Sequence, residues 1–134
     1  FDDLQSKENY KPMQVYGQSK LANILFTKAL STKLSDFGVT VNCLHPGFVS
    51  TGIGSNNNKT LWSFLMFLAK PFARKTDKGA ETSIYLCSSS EVKNISGEYF
   101  VDCKIEKISD AAKSSEQAES LWKISSELTG IDLN

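Results

Sequence analysis

The sequence predicts an α/β fold, and three observations predict it. A long apolar segment opens at Pro12 with helical character. A β-branched run, Val39-Thr40-Val41-Asn42-Cys43-Leu44, reads as a strand. Helical and strand-like segments then follow one another to the end of the chain, in the order helix, strand, helix, strand, helix.

Each element has its own signal. Phe1 to Lys11 is polar and aperiodic, hence a loop. Pro12 suits a first helical turn, and apolar residues run from Val15 to Leu34. Leu21 to Phe26 is apolar nearly all round the helix, which implies cover on two sides. Gly38 is placed to take a left-handed C-cap. Pro46-Gly47 stops the strand, and residues 50–59, rich in Gly, Ser and Asn, form a loop. Residues 61–72 are densely apolar and aromatic. Thr76 to Ser88 reads as a helix with Ala80, Ile84 and Cys87 on one face, and Gly97 to Val101 as a second short strand. Ser114 with Gln117 makes a capping-box start to a last helix containing Leu121, Trp122, Ile124 and Leu128, which Gly130 ends.

Two strands so far apart do not make a sheet alone, since a stable sheet needs about three. The helices are therefore expected to cover strands outside this chain, so residues 1–134 read as part of one domain. The opening on Phe1, with no methionine and no basic stretch before an apolar core, points the same way.

Composition narrows the function classes. Fifteen basic residues balance fifteen acidic ones, so no phosphate-backbone partner is indicated and nucleic acid is excluded as an expectation. Cys43, Cys87 and Cys103 form no C-x-x-C pair, which points to reduced thiols rather than a zinc site or a disulfide framework. Cys43 and Cys87 fall on apolar faces and are expected to be packed. His45 is the only histidine, so no histidine triad or metal cluster can be assembled, and its expected role is to shape the turn before Pro46. Asn58-Lys59-Thr60 and Asn94-Ile95-Ser96 match the glycosylation sequon, a pattern common by chance.

Tyr16 and Lys20 are the residues with chemistry in them. Four apart on a helix, they share a face. A free phenol has a pKa of about 10, too high for ready proton exchange near neutrality, and a nearby ammonium favours the phenolate. A phenol tuned in this way can protonate a carbonyl oxygen or deprotonate an alcohol while a cofactor moves the hydride. On the spacing alone, a surface lysine beside a partly buried tyrosine is the favoured reading.

The surroundings of the pair add specificity. Tyr16-Gly17-Gln18-Ser19-Lys20-Leu21-Ala22-Asn23 is followed by Gly38-Val39-Thr40-Val41-Asn42 and then by Pro46-Gly47-Phe48-Val49-Ser50-Thr51. This succession closely resembles the short-chain dehydrogenase/reductase family: Y-x-x-x-K on a helix, a strand, then P-G-x-V-x-T at the strand's end. Within it the chain is most similar to the retinol dehydrogenase group, through Phe1 to Leu4, Ser19 to Phe26, Leu44 to Gly47 and Ser96 to Cys103. The resemblance covers almost the whole chain. It implies the C-terminal part of a doubly wound, parallel-sheet Rossmann-type domain, with the front half missing.

The resemblance also implies roles. Tyr16 is the acid/base; Lys20 tunes it and holds the nicotinamide ribose hydroxyls. Pro46, Gly47 and Val49 form the turn that approaches the nicotinamide, and Thr51 contacts the cofactor's carboxamide or phosphate. An ordinary structural turn and loop threonine is the plain alternative. The cofactor is NADP or NAD, with NADP slightly favoured by the resemblance. The residues themselves do not choose between them, because that choice is made after a strand expected upstream.

The substrate implied is a hydrophobic alcohol, aldehyde or ketone such as a retinoid. The run Leu61 to Ala69, too short for the roughly 20 residues of a membrane span, suits a substrate-covering segment, a membrane-surface contact or plain core packing. Family members often pair through the tyrosine-bearing helix, so a homodimer is implied as well. The retinol dehydrogenase likeness implies a cytosol-facing protein associated with the endoplasmic reticulum, anchored upstream of this chain.

Departures from the pattern are equally plain. Neither G-x-x-x-G-x-G nor G-x-G-x-x-G occurs; Gly47, Gly52 and Gly54 have the wrong spacing. The family's catalytic serine and asparagine fall upstream of Phe1, and Ser6, Asn23 and Asn42 are not their equivalents. One alternative stays open: a truncated or regulatory relative that binds no cofactor and acts through protein contacts.

Overall fold

The computed structural model describes residues 3–49 and 73–131. The opening loop is tied by the Asp3 carboxylate, which accepts the Lys7 and Glu8 amides at 2.7 and 3.2 Å. Helix α1 spans Pro12–Lys33, with Pro12 in the first turn, where its missing N–H leaves no bond unmade. The helix ends earlier than its glycine suggests. A 3-10 turn, Ser35–Phe37, follows it, and Gly38 at φ +68° closes that turn instead of α1.

Strand β1, Cys43–His45, is shorter than the β-branched run. Side chains take over the pairing before Cys43. The Ser96 hydroxyl accepts the Val41 amide at 3.0 Å, and the Asn42 side chain donates to the Ile95 carbonyl and accepts from the Glu98 amide. Helix α2 spans Thr76–Ser88 and strand β2 Tyr99–Val101. A further strand, β3 at Lys104–Ile105, was not legible in the sequence. Its turn, Asp102 and Cys103 at φ +50° and +61°, has the two positive φ values of a type I′ hairpin.

A short helix, α3 (Asp110–Lys113), is capped by the Ser109 hydroxyl. Helix α4, Ser115–Thr129, starts and stops as its sequence predicts. Ser114 Oγ accepts the Gln117 amide at 3.2 Å, and Gly130 takes the left-handed cap at φ +68°.

The strands form one sheet in the order β1-β2-β3. β1 and β2 are parallel, with Leu44 opposite Phe100, and β3 adds antiparallel to β2. Side chains alternate across a strand, so neighbouring contacts reveal what covers each face. The Cys43 thiol meets the Thr27 hydroxyl of α1. Phe100, on the other face, meets the Tyr85 ring of α2 at 6.4 Å between centroids. Helices therefore cover both faces of a small mixed sheet, and the architecture is α/β.

Two clusters hold these layers. Leu25 and Ala29 of α1 pack against Ala118, Leu121 and Trp122 of α4, all buried, with the Phe26 ring stacked on Trp122 at 5.4 Å. On the α2 side the expected burial is reversed. Ala80, Ile84 and Cys87 are exposed, while Gly79 and Thr82 are buried. The reason is the closeness of approach. Gly79 lies against Val49, and the Thr82 hydroxyl accepts the Cys103 amide at 3.2 Å, so the inward face needs small and hydrogen-bonding residues. Cys87 is accordingly no packed thiol, and Cys43 is only partly buried.

Candidate active site

Helix α1 runs antiparallel to β1, as two contacts show. Thr27 lies beside Cys43, and Ser31 lies beside Gly97, whose amide donates to the Val41 carbonyl. Going down the helix from residue 27 to 31 thus goes back along the strand from 43 to 41. Tyr16, eleven residues before Thr27, stands about 16 Å further along the helix. Pro46 and Gly47 follow directly on the carboxyl end of β1. The antiparallel packing thus directs the N-terminal turns of α1 toward the carboxyl edge of the sheet, the edge at which open α/β sheets bind their ligands.

Within α1 the structure brings Tyr16 and Lys20 together. The ammonium lies 5.3 Å from the centroid of the Tyr16 ring, a cation–π contact one helical turn apart. Both side chains are exposed, Tyr16 by 57%. The intervening Ser19 turns its hydroxyl back to the Tyr16 carbonyl at 2.7 Å and leaves the phenol free of it.

The Pro46-Gly47 turn is a second cluster. Gly47 has φ +79°, a conformation that favours glycine. Its amide donates to His45 Nδ1 at 2.7 Å, so the lone histidine does shape the turn. Val49 forms an isolated parallel bridge with Arg74, whose amide donates to the Phe48 carbonyl at 2.7 Å. Among the described residues no hydrogen bond or ion pair joins this turn to Tyr16 or Lys20. Thr51 and the apolar stretch 61–72 lie outside the described residues.

Sequence reasoning missed Arg74 and Asp102. Their side chains form a two-pronged ion pair: Nη1 meets Oδ1, and Nη2 lies 2.9 Å from Oδ2. The Arg74 guanidinium beside Asp102 holds that carboxyl below the usual carboxylate range. Only a hairpin signal could have exposed Asp102, and Asp-Cys is not one of the dipeptides that mark such turns. Elsewhere, burial pushes the Cys43 thiol up, partly offset by the Thr27 hydroxyl and the Lys28 charge.

Among the described residues no group of acidic, histidine or cysteine side chains could hold a metal ion. Nor is any helix among them long and apolar enough to cross a membrane.

Residues 4–62 match the family model described as short chain dehydrogenase. The chain is 44% identical over 133 residues to Retinol dehydrogenase 14 of Homo sapiens, covering 98% of this chain and 40% of the relative. It is 41% identical over 131 residues to Retinol dehydrogenase 12 of Mus musculus, covering 98% of this chain and 41% of the relative. The WW domain-containing oxidoreductase of Pongo abelii is 37% identical over 125 residues, covering 92% of this chain and 30% of that protein. The chain thus spans about two fifths of the length of the two retinol dehydrogenases.

Proposed function

We propose that this chain is part of a short-chain dehydrogenase/reductase, the family whose model matches residues 4–62, and that it carries the proton-transfer end of an oxidoreductase interconverting an alcohol and a carbonyl. The supporting observation is the Tyr16–Lys20 contact, on the end of α1 that its antiparallel packing directs toward the carboxyl edge of the parallel strands. Tyr16 gives its hydroxyl proton to the carbonyl oxygen in reduction and takes one from the alcohol in oxidation. Lys20 presents its cation to the Tyr16 ring from one helical turn away.

The residues fit a nicotinamide cofactor, which when bound supplies or accepts the hydride. An exposed ammonium at Lys20 is the right donor for ribose hydroxyls, and a bare glycine turn flanked by Pro46 and Val49 suits a flat ring. Thr51 belongs to the same proposed site. The 134 residues contain no glycine-rich phosphate turn, so these positions would hold only the nicotinamide end. Between NADP and NAD we favour NADP.

The identity to retinol dehydrogenases supports a hydrophobic substrate of the retinoid kind. It supports equally an association of the whole protein with a cytosol-facing membrane surface. Pairing of two copies through α1 is part of the same proposal.

The test uses the full-length protein with NADPH or NADH and retinal. Saturable cofactor binding and turnover are expected. Tyr16→Phe should lower kcat by about 10²–10⁴-fold while still binding cofactor, and Lys20→Met should weaken both. A protein that acts through protein contacts alone would bind neither cofactor. That result, or a Tyr16→Phe variant with full turnover, would overturn the reading.

A further inference from the structure

Gly47 was expected to offer an open backbone to the cofactor. The structure gives its missing side chain a different use. A Cβ built on Gly47 would stand 2.8 Å from Arg74 Nε, 2.9 Å from Cζ and 3.0 Å from Cδ. The space that a side chain would need is therefore filled by the Arg74 side chain, whose Cδ, Nε and Cζ lie against the glycine. Arg74 also grips the same turn by its backbone, through the amide bond to the Phe48 carbonyl.

Arg74 is itself held from behind. Asp102 takes the guanidinium in its two-pronged pair, a planar fit that lysine cannot reproduce. Asp102 in turn sits in the β2–β3 hairpin turn, next to Cys103, whose amide is bound by the buried Thr82 hydroxyl. A continuous set of contacts thus runs from buried Thr82 through Cys103, Asp102 and Arg74 to Gly47.

We infer that Arg74, oriented by Asp102, is a positioning residue for the Pro46-Gly47 turn: it closes one side of Gly47 and fixes the other as the surface that meets the nicotinamide end of the cofactor. This rests on the function proposed above. It accounts for a guanidinium placed at the carboxyl edge of the sheet with its charge already matched by a carboxylate. A free arginine there would recruit an anion; a paired one shapes the turn. The pair is partly exposed, 34% and 53% by side chain, so its effect is modest and local.

The experiment measures steady-state kinetics of the full-length protein and of Arg74→Gln, Arg74→Lys and Asp102→Asn, each with a thermal melt. The cofactor KM should rise about three- to fivefold in Arg74→Gln and Asp102→Asn, with kcat and the aldehyde KM within about twofold. Arg74→Lys should fall between, since it keeps the charge and loses the fork. The double variant Arg74→Gln/Asp102→Asn should be no worse than the worse single one, because both remove one contact.

A purely structural pair would lower the melting temperature and leave the cofactor KM untouched, and that outcome overturns the inference. If Arg74→Gln does not fold, Asp102→Asn, an isosteric change at an exposed carboxylate, decides alone. A wild-type protein that binds no nicotinamide cofactor overturns the function and this inference together. A working wild type with unchanged cofactor KM in every variant overturns only the inference.

Discussion

Gly79 of α2 lies so close to Val49 that a Cβ on it would stand 2.6 Å from the Val49 Cγ2 methyl. Ordinarily an alanine in place of a mid-helix glycine gains about 1 kcal/mol. Here the methyl must displace a β-branched side chain that is stiff at χ1, on a residue whose backbone is bridged to Arg74. Overpacking of that kind costs about 1–3 kcal/mol and outweighs the helix gain. Gly79→Ala is expected to lower the melting temperature, and Val49→Ala in the same protein to restore most of it. Melts of the two single variants and the double complete the cycle. A Gly79→Ala protein that melts higher than wild type would refute the close approach.

The α1–α4 contact carries its own stability prediction. Leu25 is 1% exposed and packs against Ala118, Leu121 and Trp122. Removing its side chain leaves a cavity between two helices, so Leu25→Ala should cost about 2–5 kcal/mol in urea denaturation. Phe37, 75% exposed, is the control: Phe37→Ala should stay within about 0.5 kcal/mol of wild type. Equal effects at the two positions would mean that α4 does not dock on α1 in solution.

The three longer helices were legible from these residues, whereas the short α3 behind its Ser109 cap was not. Pro12 starts α1, Ser114 and Gly130 bracket α4, and Thr76–Ser88 forms as expected. What local signals did not reveal was which face each helix buries. The Ala80, Ile84 and Cys87 face is the more apolar one, yet Gly79 and Thr82 face inward because Val49 and the Cys103 amide stand there. Tyr16, Lys20, Pro46 and Gly47 stood out as candidates because they follow one another in a family order. Arg74 and Asp102 were not, because 28 residues separate them and only the fold brings them together.

Cysteine reactivity separates buried from exposed positions. Cys87 is exposed, whereas burial raises the Cys43 thiol and so reduces its thiolate fraction near neutrality. With sub-stoichiometric iodoacetamide at pH 8, Cys87 should be alkylated first and Cys43 only slowly, as read by mass spectrometry of the peptides. Unfolding in urea should abolish the difference. Faster labelling of Cys43 in the native protein would contradict the packing of β1 against α1.

The Arg74–Asp102 pair makes its clearest claim through pH. The arginine holds the Asp102 carboxyl below its ordinary value of 3.8, so the native state favours the ionised form more than the unfolded chain does. A carboxylate lowered in this way stabilises the fold at every pH above the ordinary value. It loses that contribution only as pH falls from there through the native value. The melting-temperature gap between wild type and Asp102→Asn should therefore stay level from pH 7 down to the ordinary carboxylate range and close only at lower pH. Because both side chains are partly exposed, 1 M salt should shrink the gap at every pH. A carbon-detected NMR titration of the Asp102 carboxyl gives the same answer directly. A midpoint at or above 3.8 would mean that the guanidinium is not seated on Asp102, and a guanidinium not seated there has nothing to hold it against Gly47.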